Sequence, residues 1–142
     1  MRKILTTMAL IALAGCATSP TPVSRAENVP LDEIYGFQDK SPENSERITV
    51  IRDTGFTGSG CDVLVYIDGK RAAKIGPGQK ASFFVQPGIV NLGSGPSGSG
   101  LCAGSAIKAI SANIQARQEH LFRINGDMQG FYLAPYIDYE GR

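Results

Sequence analysis

Short apolar runs that end in turn-forming residues are the feature of this sequence that most limits its fold. Residues 63–67 are followed by Asp68-Gly69, a dipeptide that accepts the positive φ angles of a tight hairpin turn. Residues 81–85 end in a similar way at Pro87-Gly88, and further runs recur at roughly ten-residue intervals up to residue 137. About seven or eight short strands at this spacing predict an all-β fold, a single small antiparallel β-sandwich or barrel.

The overall composition agrees with a turn-rich β protein. The 142 residues include 17 Gly and eight Pro but no Trp, and glycine and proline interrupt both helices and long strands. The formal net charge is only +1, from 14 Lys and Arg against 13 Asp and Glu. Without a basic cluster the chain has no electrostatic reason to bind nucleic acid, so we expect no nucleic-acid partner.

Residues 105–116 fit two kinds of secondary structure. Ile107, Ile110 and Ile114 have the three- and four-residue spacing of a helix face, whereas residues 110–115 alternate between apolar and polar side chains. We favour a strand, because the neighbouring elements are strands and the apolar face of the helix would be narrow. A helix over the same residues is the alternative.

The N-terminus has the layout of an export signal. Arg2 and Lys3 precede an apolar segment, residues 4–14, which is too short for a bilayer span of roughly 20 residues. The segment ends in Leu13-Ala14-Gly15-Cys16, which resembles the lipobox of bacterial lipoproteins. The resemblance implies cleavage after Gly15 and acylation of Cys16 on its sulfur and on its new amino group. The alternative is an ordinary signal peptide with an incidental cysteine.

The lipobox resemblance also predicts a location and a division of the chain. Ala17 stands where an aspartate would retain a lipoprotein in the inner membrane, so the resemblance implies an outer-membrane anchor facing the periplasm. Two acyl chains are enough for stable anchoring. We therefore expect a signal peptide over residues 1–15, a lipidated N-terminus and flexible linker over residues 16–45, and a β domain over residues 46–142. Four prolines in the linker region disfavour regular structure there.

Cys61 and Cys102 are the two cysteines that remain once Cys16 is acylated. In an oxidising compartment such a pair most simply forms a disulfide, which would close a loop of roughly 40 residues. On a chain-entropy argument, such a bridge stabilises the fold by about 4 kcal/mol. Two free buried thiols are the alternative. The sequence lacks the C-x-x-C spacing that would favour a redox or metal site.

No set of residues in the sequence favours catalysis or a cofactor. His120 is the only histidine, and its alternation with Phe122 and Ile124 is typical of a half-buried strand residue. Residues 93–98 match G-x-G-x-x-G, but Pro96 and the glycines after it prevent the helix that a dinucleotide site requires. We therefore expect a non-enzymatic protein without a metal, cofactor or nucleotide. A hydrolase that uses His120 is the remaining enzymatic hypothesis.

Cationic and aromatic residues cluster in the sequence near the predicted Asp68-Gly69 hairpin. Arg71, Lys74 and Lys80 follow that turn, and Tyr66 precedes it. Aromatic and cationic side chains on adjacent strands are common in the energetically important centres of protein interfaces. We predict a partner-binding surface from these four residues. The alternative is a solvated sheet edge on which lysines deter aggregation.

Two resemblances bear on what the domain does. Residues 65–70, together with Phe84-Val85-Gln86-Pro87-Gly88, resemble small proteobacterial lipoproteins of unknown function, in which a hairpin leads to an aromatic strand and a Pro-Gly turn. This resemblance implies a β domain in the same compartment, used for envelope structure or protein binding. Small lipid-anchored β domains with a disulfide also resemble lysozyme inhibitors, which place a serine-glycine loop in the enzyme's cleft. Ser94, Ser97 and Ser99 would form that loop in a tethered inhibitor or immunity protein against a cell-wall hydrolase or toxin.

Overall fold

The computed structural model describes residues 19–55, 60–103 and 106–137. The predicted signal peptide and the predicted lipidation site at Cys16 lie outside these residues. The described strands, in chain order, are β1 (Glu27–Asn28), β2 (Glu46–Arg52), β3 (Asp62–Ile67), β4 (Lys70–Ile75), β5 (Gln79–Val85), β6 (Gly88–Ser97), β7 (Lys108–Ile114), β8 (His120–Asp127) and β9 (Gly130–Pro135). Two short 3-10 helices, Leu31–Glu33 and Gly100–Cys102, accompany them.

The strands form two sheets that pack face to face as an open sandwich. The first sheet has the order β1-β5-β2-β8-β9 and the second has the order β4-β3-β6-β7. The sheets do not close into a barrel, so the predicted all-β fold is confirmed in its sandwich form. Most neighbouring strands are antiparallel, as predicted, but β2 runs parallel to β8 and β1 runs parallel to β5.

The core lies between the two sheets and uses the alternating apolar residues of the strands. Val63 and Val65 of β3 are fully buried, whereas Leu64 and Tyr66 are half-buried on the outer face of the same strand. Phe83 of β5 is the largest of the described side chains that are fully buried. Full burial of an apolar side chain stabilises the folded state by roughly 1.5–3 kcal/mol. The face of each strand that carries the apolar side chains is therefore the face that packs inside.

Two local predictions are confirmed by the backbone, and a proline near the C-terminal end lies where a sheet tolerates it. Asp68 and Gly69 have φ angles of 46° and 78°, the positive values that the tight turn between β3 and β4 requires. Lys108–Ile114, within the residues that also fit a helix, is a strand paired with β6. Pro135 ends β9, which is an edge strand of the first sheet, where a proline does not interrupt a ladder.

The N-terminal segment, residues 19–45, lies against the sandwich, so the prediction of a flexible linker is wrong for these residues. Strand β1 pairs with β5, and Val29 after it is buried in the core with 4% exposure. Further along, Ile34 forms a bridge to β4, and the Phe84 amide donates a 2.8 Å hydrogen bond to the Phe37 carbonyl. The reason is that β4 and β5 would otherwise be open edges, whose backbone groups this segment satisfies. The globular domain therefore begins before β2.

Strand β6 continues through residues that the sequence predicts to be a loop. The prediction of a glycine and serine loop over residues 93–100 is wrong for its first half, because β6 spans Gly88–Ser97. A Cβ atom at Gly95 would approach Cγ1 of Ile107 to 3.0 Å. The absence of a side chain at Gly95 therefore leaves room for Ile107 to lie against the outer face of β6.

A disulfide between Cys61 and Cys102 fastens the start of β3 to the second 3-10 helix. The S–S distance is 2.05 Å and the Cα atoms are 5.4 Å apart. The predicted pairing is confirmed, and the alternative of two free thiols is wrong. The bridge therefore adds a covalent restraint between β3 and the segment that follows β6.

Arg52, at the end of β2, is a buried cation that joins the two sheets. It is 3% exposed, and its Nη1 donates a 2.9 Å hydrogen bond to the Ile75 carbonyl of β4. Its guanidinium carbon lies 5.0 Å from the centroid of the Phe131 ring. Burial lowers the pKa of Arg52 to about 10, while the negative charge of Asp62 acts in the opposite direction.

Candidate partner-binding site

Tyr66 and Arg71, two of the predicted partner-binding residues, lie opposite each other on the outer face of the second sheet. The register between β3 and β4 shifts beside Val65, so that one residue of β4 has no partner. Because of this shift, Lys74 faces the same way as Arg71, three positions before it, and lies opposite Leu64. The structure therefore brings together three of the four residues predicted to form this surface.

Residues of the N-terminal segment extend this surface, which we call the tyrosine patch (Glu33, Tyr35, Tyr66, Arg71 and Lys74). The Tyr35 hydroxyl donates a 2.8 Å hydrogen bond to Glu33 Oε2, and Lys74 Nζ lies 2.6 Å from Glu33 Oε1. The hydrogen bond from Lys74, followed by that from Tyr35, lowers the pKa of Glu33. The same contacts raise the pKa values of Lys74 and Tyr35. Lys74 is thus neutralised by an acid of its own chain.

Lys80 does not belong to this surface, so its predicted place beside Tyr66 is wrong. It lies on β5 in the first sheet, opposite Ile51 of β2. Its Nζ donates a 2.8 Å hydrogen bond to the Val23 carbonyl, so it fastens the N-terminal segment to the sandwich. Nearness in sequence misleads here, because the turn between β4 and β5 carries the chain from one sheet to the other.

The three predicted loop serines do not form one exposed loop. Ser94 is fully buried, and its Oγ donates a 3.2 Å hydrogen bond to the Phe131 carbonyl of β9. Ser97 is half-buried at the end of β6, and only Ser99 is exposed. The predicted role of Ser94 in contacting an enzyme is therefore wrong, because β6 carries this residue between the two sheets.

A groove that the sequence does not indicate opens between β7 of the second sheet and β8 and β9 of the first. We call it the β7 groove, and its volume is about 450 Å³. The apolar and aromatic residues that line it are Ile110, Ala112, Leu121, Phe122, Pro135 and Tyr136. Both sheets contribute to the groove, so it opens at the side of the sandwich formed by β7 and β9. The N-terminal segment lies along the opposite side.

Strand β7 borders the groove with an unpaired edge. It pairs with β6 from Lys108 to Ile114, and no other strand in the described part of the chain pairs with it. At one end the two sheets are joined, because Lys108 Nζ donates a 2.9 Å hydrogen bond to the Gln129 carbonyl and lies 3.6 Å from the centroid of the Tyr132 ring. The groove lies toward the other end of β7, which the contacts of Lys108 do not reach.

No family model matches the sequence, and no curated protein or solved structure gives a significant match to it. The site is therefore interpreted from its own geometry. Residues 19–55, 60–103 and 106–137 include no helix that is long and apolar enough to cross a membrane. In the same residues, no group of three or more His, Cys, Asp or Glu side chains is placed to hold a metal ion.

His120 lies on the rim of the β7 groove and contacts the loop between β7 and β8. Its Nε2 lies 3.0 Å from the amide nitrogen of Gln115 and 2.9 Å from the carbonyl oxygen of the same residue. The ring accepts from the amide when Nε2 is unprotonated and donates to the carbonyl when Nε2 is protonated. This contact occupies one of the two ring nitrogens of His120 that could act as a base in a hydrolase. It also holds the loop between β7 and β8 in place.

Glu46, at the start of β2, holds the same loop through a second contact. Its Oε2 accepts a 2.8 Å hydrogen bond from the Arg117 amide, and its Oε1 accepts a 2.8 Å hydrogen bond from the Ser45 hydroxyl. The bond from Ser45, followed by that from the Arg117 backbone, lowers the pKa of Glu46. Two side chains, Glu46 and His120, thus hold the loop between β7 and β8 in place, and His120 also lines the β7 groove.

Proposed function

We propose that the protein is a lipid-anchored envelope protein, held on the outer membrane by acylated Cys16, whose β domain binds a protein partner at the β7 groove. The proposed location is supported by the resemblance of Leu13-Ala14-Gly15-Cys16 to a lipobox. The disulfide between Cys61 and Cys102 also supports it, because structural disulfides are typical of exported proteins. The proposed binding function is supported by the geometry of β7, and no catalytic role is part of the proposal.

The observation that carries the binding function is the unpaired edge of β7 beside an apolar groove. In the part of the chain that the structure describes, Lys108–Ile114 leaves one row of backbone N–H and C=O groups without a strand partner. An extended segment of a partner protein can pair with such an edge through main-chain hydrogen bonds. Alternate side chains of the added strand would then point toward the groove, which has room for an apolar side chain. Backbone pairing would supply affinity, and the groove would supply selectivity.

The tyrosine patch is less suited to this function than the β7 groove. Two of its three charged groups, Glu33 and Lys74, already satisfy each other at 2.6 Å, so a partner would have to compete there with an existing ion pair. Ion pairs at the surface contribute little, and a partner's charge that replaced one member of this half-buried pair would form one ion pair only by breaking another. The β7 edge, in contrast, offers hydrogen-bonding groups that no described strand uses.

A tethered inhibitor or immunity protein is the alternative, and it would use a different surface. With Ser94 buried, the part of the predicted loop that a cell-wall hydrolase or toxin could contact is Ser97 and Ser99. Ser99 is exposed and stands next to the 3-10 helix that the disulfide holds in place. This alternative therefore predicts contacts at Ser99 rather than at the β7 groove.

The binding function is tested by site-specific photocrosslinking in intact cells that make the lipidated full-length protein. A photoreactive amino acid replaces Asn113, which is exposed on the rim of the β7 groove. Separate strains carry it at Ser99 or at Asp39, an exposed control position in the N-terminal segment. The groove proposal predicts one stoichiometric crosslinked protein from position 113, and the inhibitor alternative predicts it from position 99. Equally weak crosslinks from positions 113, 99 and 39 would contradict both.

The anchor is tested separately by the intact mass of the protein purified from membranes. The proposal predicts loss of residues 1–15 and the added mass of acyl chains on Cys16. Cys16→Ser should release the domain from the membrane fraction. An unmodified Cys16 with the signal peptide retained would rule out the lipid anchor.

A further inference from the structure

Ser19 is fixed to the end of the sandwich where β2 finishes. The Ser19 amide donates a 2.6 Å hydrogen bond to the Thr54 carbonyl, and the Thr54 amide donates a 3.2 Å hydrogen bond to the Ser19 carbonyl. Two residues later, the Thr21 amide donates a 3.0 Å hydrogen bond to the buried carboxylate of Asp53. The N-terminal segment is therefore attached to this end of the domain, which we call the anchor end.

Cys16 lies only three residues before Ser19 in the sequence. Three residues span at most about 11 Å, even in a fully extended chain. Acyl chains on Cys16 would therefore hold the anchor end close to the lipid headgroups. A flexible linker over residues 16–45 would instead have let the domain rotate freely above the membrane.

Two exposed apolar side chains also lie at the anchor end. Met128, in the hairpin between β8 and β9, is 95% exposed, and Ile107, just before β7, is 56% exposed. Strand β8 runs parallel to β2, so its hairpin emerges at the end where β2 finishes. The hydrogen bond from Lys108 Nζ to the Gln129 carbonyl then brings the start of β7 to the same place. Single exposed apolar residues are common, so their position beside the attachment point is the informative fact.

We infer that the anchor end rests on the phospholipid surface that holds the acyl chains of Cys16, with Met128 and Ile107 in the headgroup region. This inference rests on the proposed lipid anchor and adds an orientation to it. Apolar side chains held beside a lipid anchor are stabilised when they enter the boundary between headgroups and acyl chains. In this orientation the β7 groove lies toward the end of β7 that is farther from the membrane.

The test compares two ends of the domain in the full-length, lipidated protein bound to vesicles of phosphatidylethanolamine and phosphatidylglycerol. Met128→Cys carries an environment-sensitive fluorophore at the anchor end. Ile89→Cys is the matched control, because Ile89 is 68% exposed and lies opposite Asn113 at the far end of β7. The introduced thiol is the labelling site, since Cys61 and Cys102 form the disulfide and Cys16 would be acylated.

Nitroxide-labelled lipids in the vesicles should quench the fluorophore at position 128 several-fold more strongly than the fluorophore at position 89. Equal quenching at the two positions, or no quenching at position 128, overturns the inference. Flotation of the vesicles separates the two proposals. If the protein floats with the vesicles but position 128 is not quenched, the orientation is wrong and the anchor stands. If the protein carries no acyl chains and does not float, the anchor fails and the orientation fails with it.

Discussion

Asp53, just after β2, connects Arg123 of β8 to the N-terminal segment. Its Oδ2 accepts hydrogen bonds from Nε of Arg123, at 3.0 Å, and from Nη2 of the same residue, while its Oδ1 accepts one from the Thr21 amide at 3.0 Å. The Asp53 side chain has no exposed surface. A carboxylate this deeply buried requires such partners, so three separate parts of the chain are held together at one residue.

Asp53→Asn should destabilise the fold and loosen the N-terminal segment. Removing one partner of a buried ion pair costs about 3–5 kcal/mol, because the other charge is left uncompensated. We expect urea denaturation to show a loss of about 3 kcal/mol in the free energy of unfolding, and trypsin to cut faster at exposed Arg25. Asp39→Asn, at an exposed acid in the same segment, should change the free energy by less than about 0.5 kcal/mol. Equal stability of the two variants would contradict this role of Asp53.

Lys74→Met should raise the pKa of Glu33 toward its ordinary value of 4.5. In the native protein the pKa of Glu33 is lowered first by the hydrogen bond from Lys74 and then by that from Tyr35. The contact therefore stabilises the fold above pH 4.5, and this contribution is lost as the pH falls through the lower folded value. An NMR titration of the Glu33 carboxyl carbon measures the change. Lys70→Met, at an exposed lysine of the same strand, is the control and should leave the pKa of Glu33 where it is.

Ser94→Ala should lower the stability of the protein without changing its binding to a partner. The substitution removes the hydroxyl that donates to the Phe131 carbonyl between the sheets, which costs about 1–2 kcal/mol. Thermal or urea unfolding measures the loss, and Ser99→Ala at an exposed serine is the control with no expected change. If the Ser94→Ala variant keeps its native stability but no longer binds the partner, Ser94 has a binding role instead.

Ala112→Phe should block the β7 groove, whereas the same change at Ala109 should not. Ala112 is half-buried and lines the groove, and Ala109 is exposed on the opposite face of the same strand. A phenyl ring at position 112 fills the space that an added strand would use. We expect crosslinking from position 113 to fall about tenfold or more, which corresponds to about 1.4 kcal/mol of lost binding free energy. Circular dichroism should show both variants folded. Undiminished crosslinking in folded Ala112→Phe would place the partner elsewhere.

Most of the strands from β2 to β9 were predictable because their signals are local; the second half of β6 is the exception. The apolar run of β3, the apolar alternation of β8 and the Asp68-Gly69 turn each depend on a few neighbouring residues. The disulfide was predictable for a different reason, since the predicted export and acylation of Cys16 leave Cys61 and Cys102 as the one available pair. Local pattern thus predicts the sandwich, and the expected compartment predicts its covalent restraint.

The N-terminal segment and the β7 groove could not be predicted from local pattern. Val29, Ile34 and Phe37 stand alone among polar residues and prolines, a composition typical of a tether, and only the edges of β4 and β5 make their burial favourable. The groove joins residues such as Ala112 and Tyr136, which are distant in sequence and come together only when the two sheets pack. Both features depend on tertiary arrangement, so a single sequence carries no direct signal for them.

The parallel pairing of β2 with β8 has a consequence for how the chain folds. Ile48 in β2 lies opposite Phe83 of β5 on one side and opposite His120 of β8 on the other. The first sheet therefore cannot close until the chain has been made nearly to its end. Pairings between such distant residues form slowly. We therefore expect a nascent chain with this topology to fold late, which agrees with the export that its N-terminus predicts.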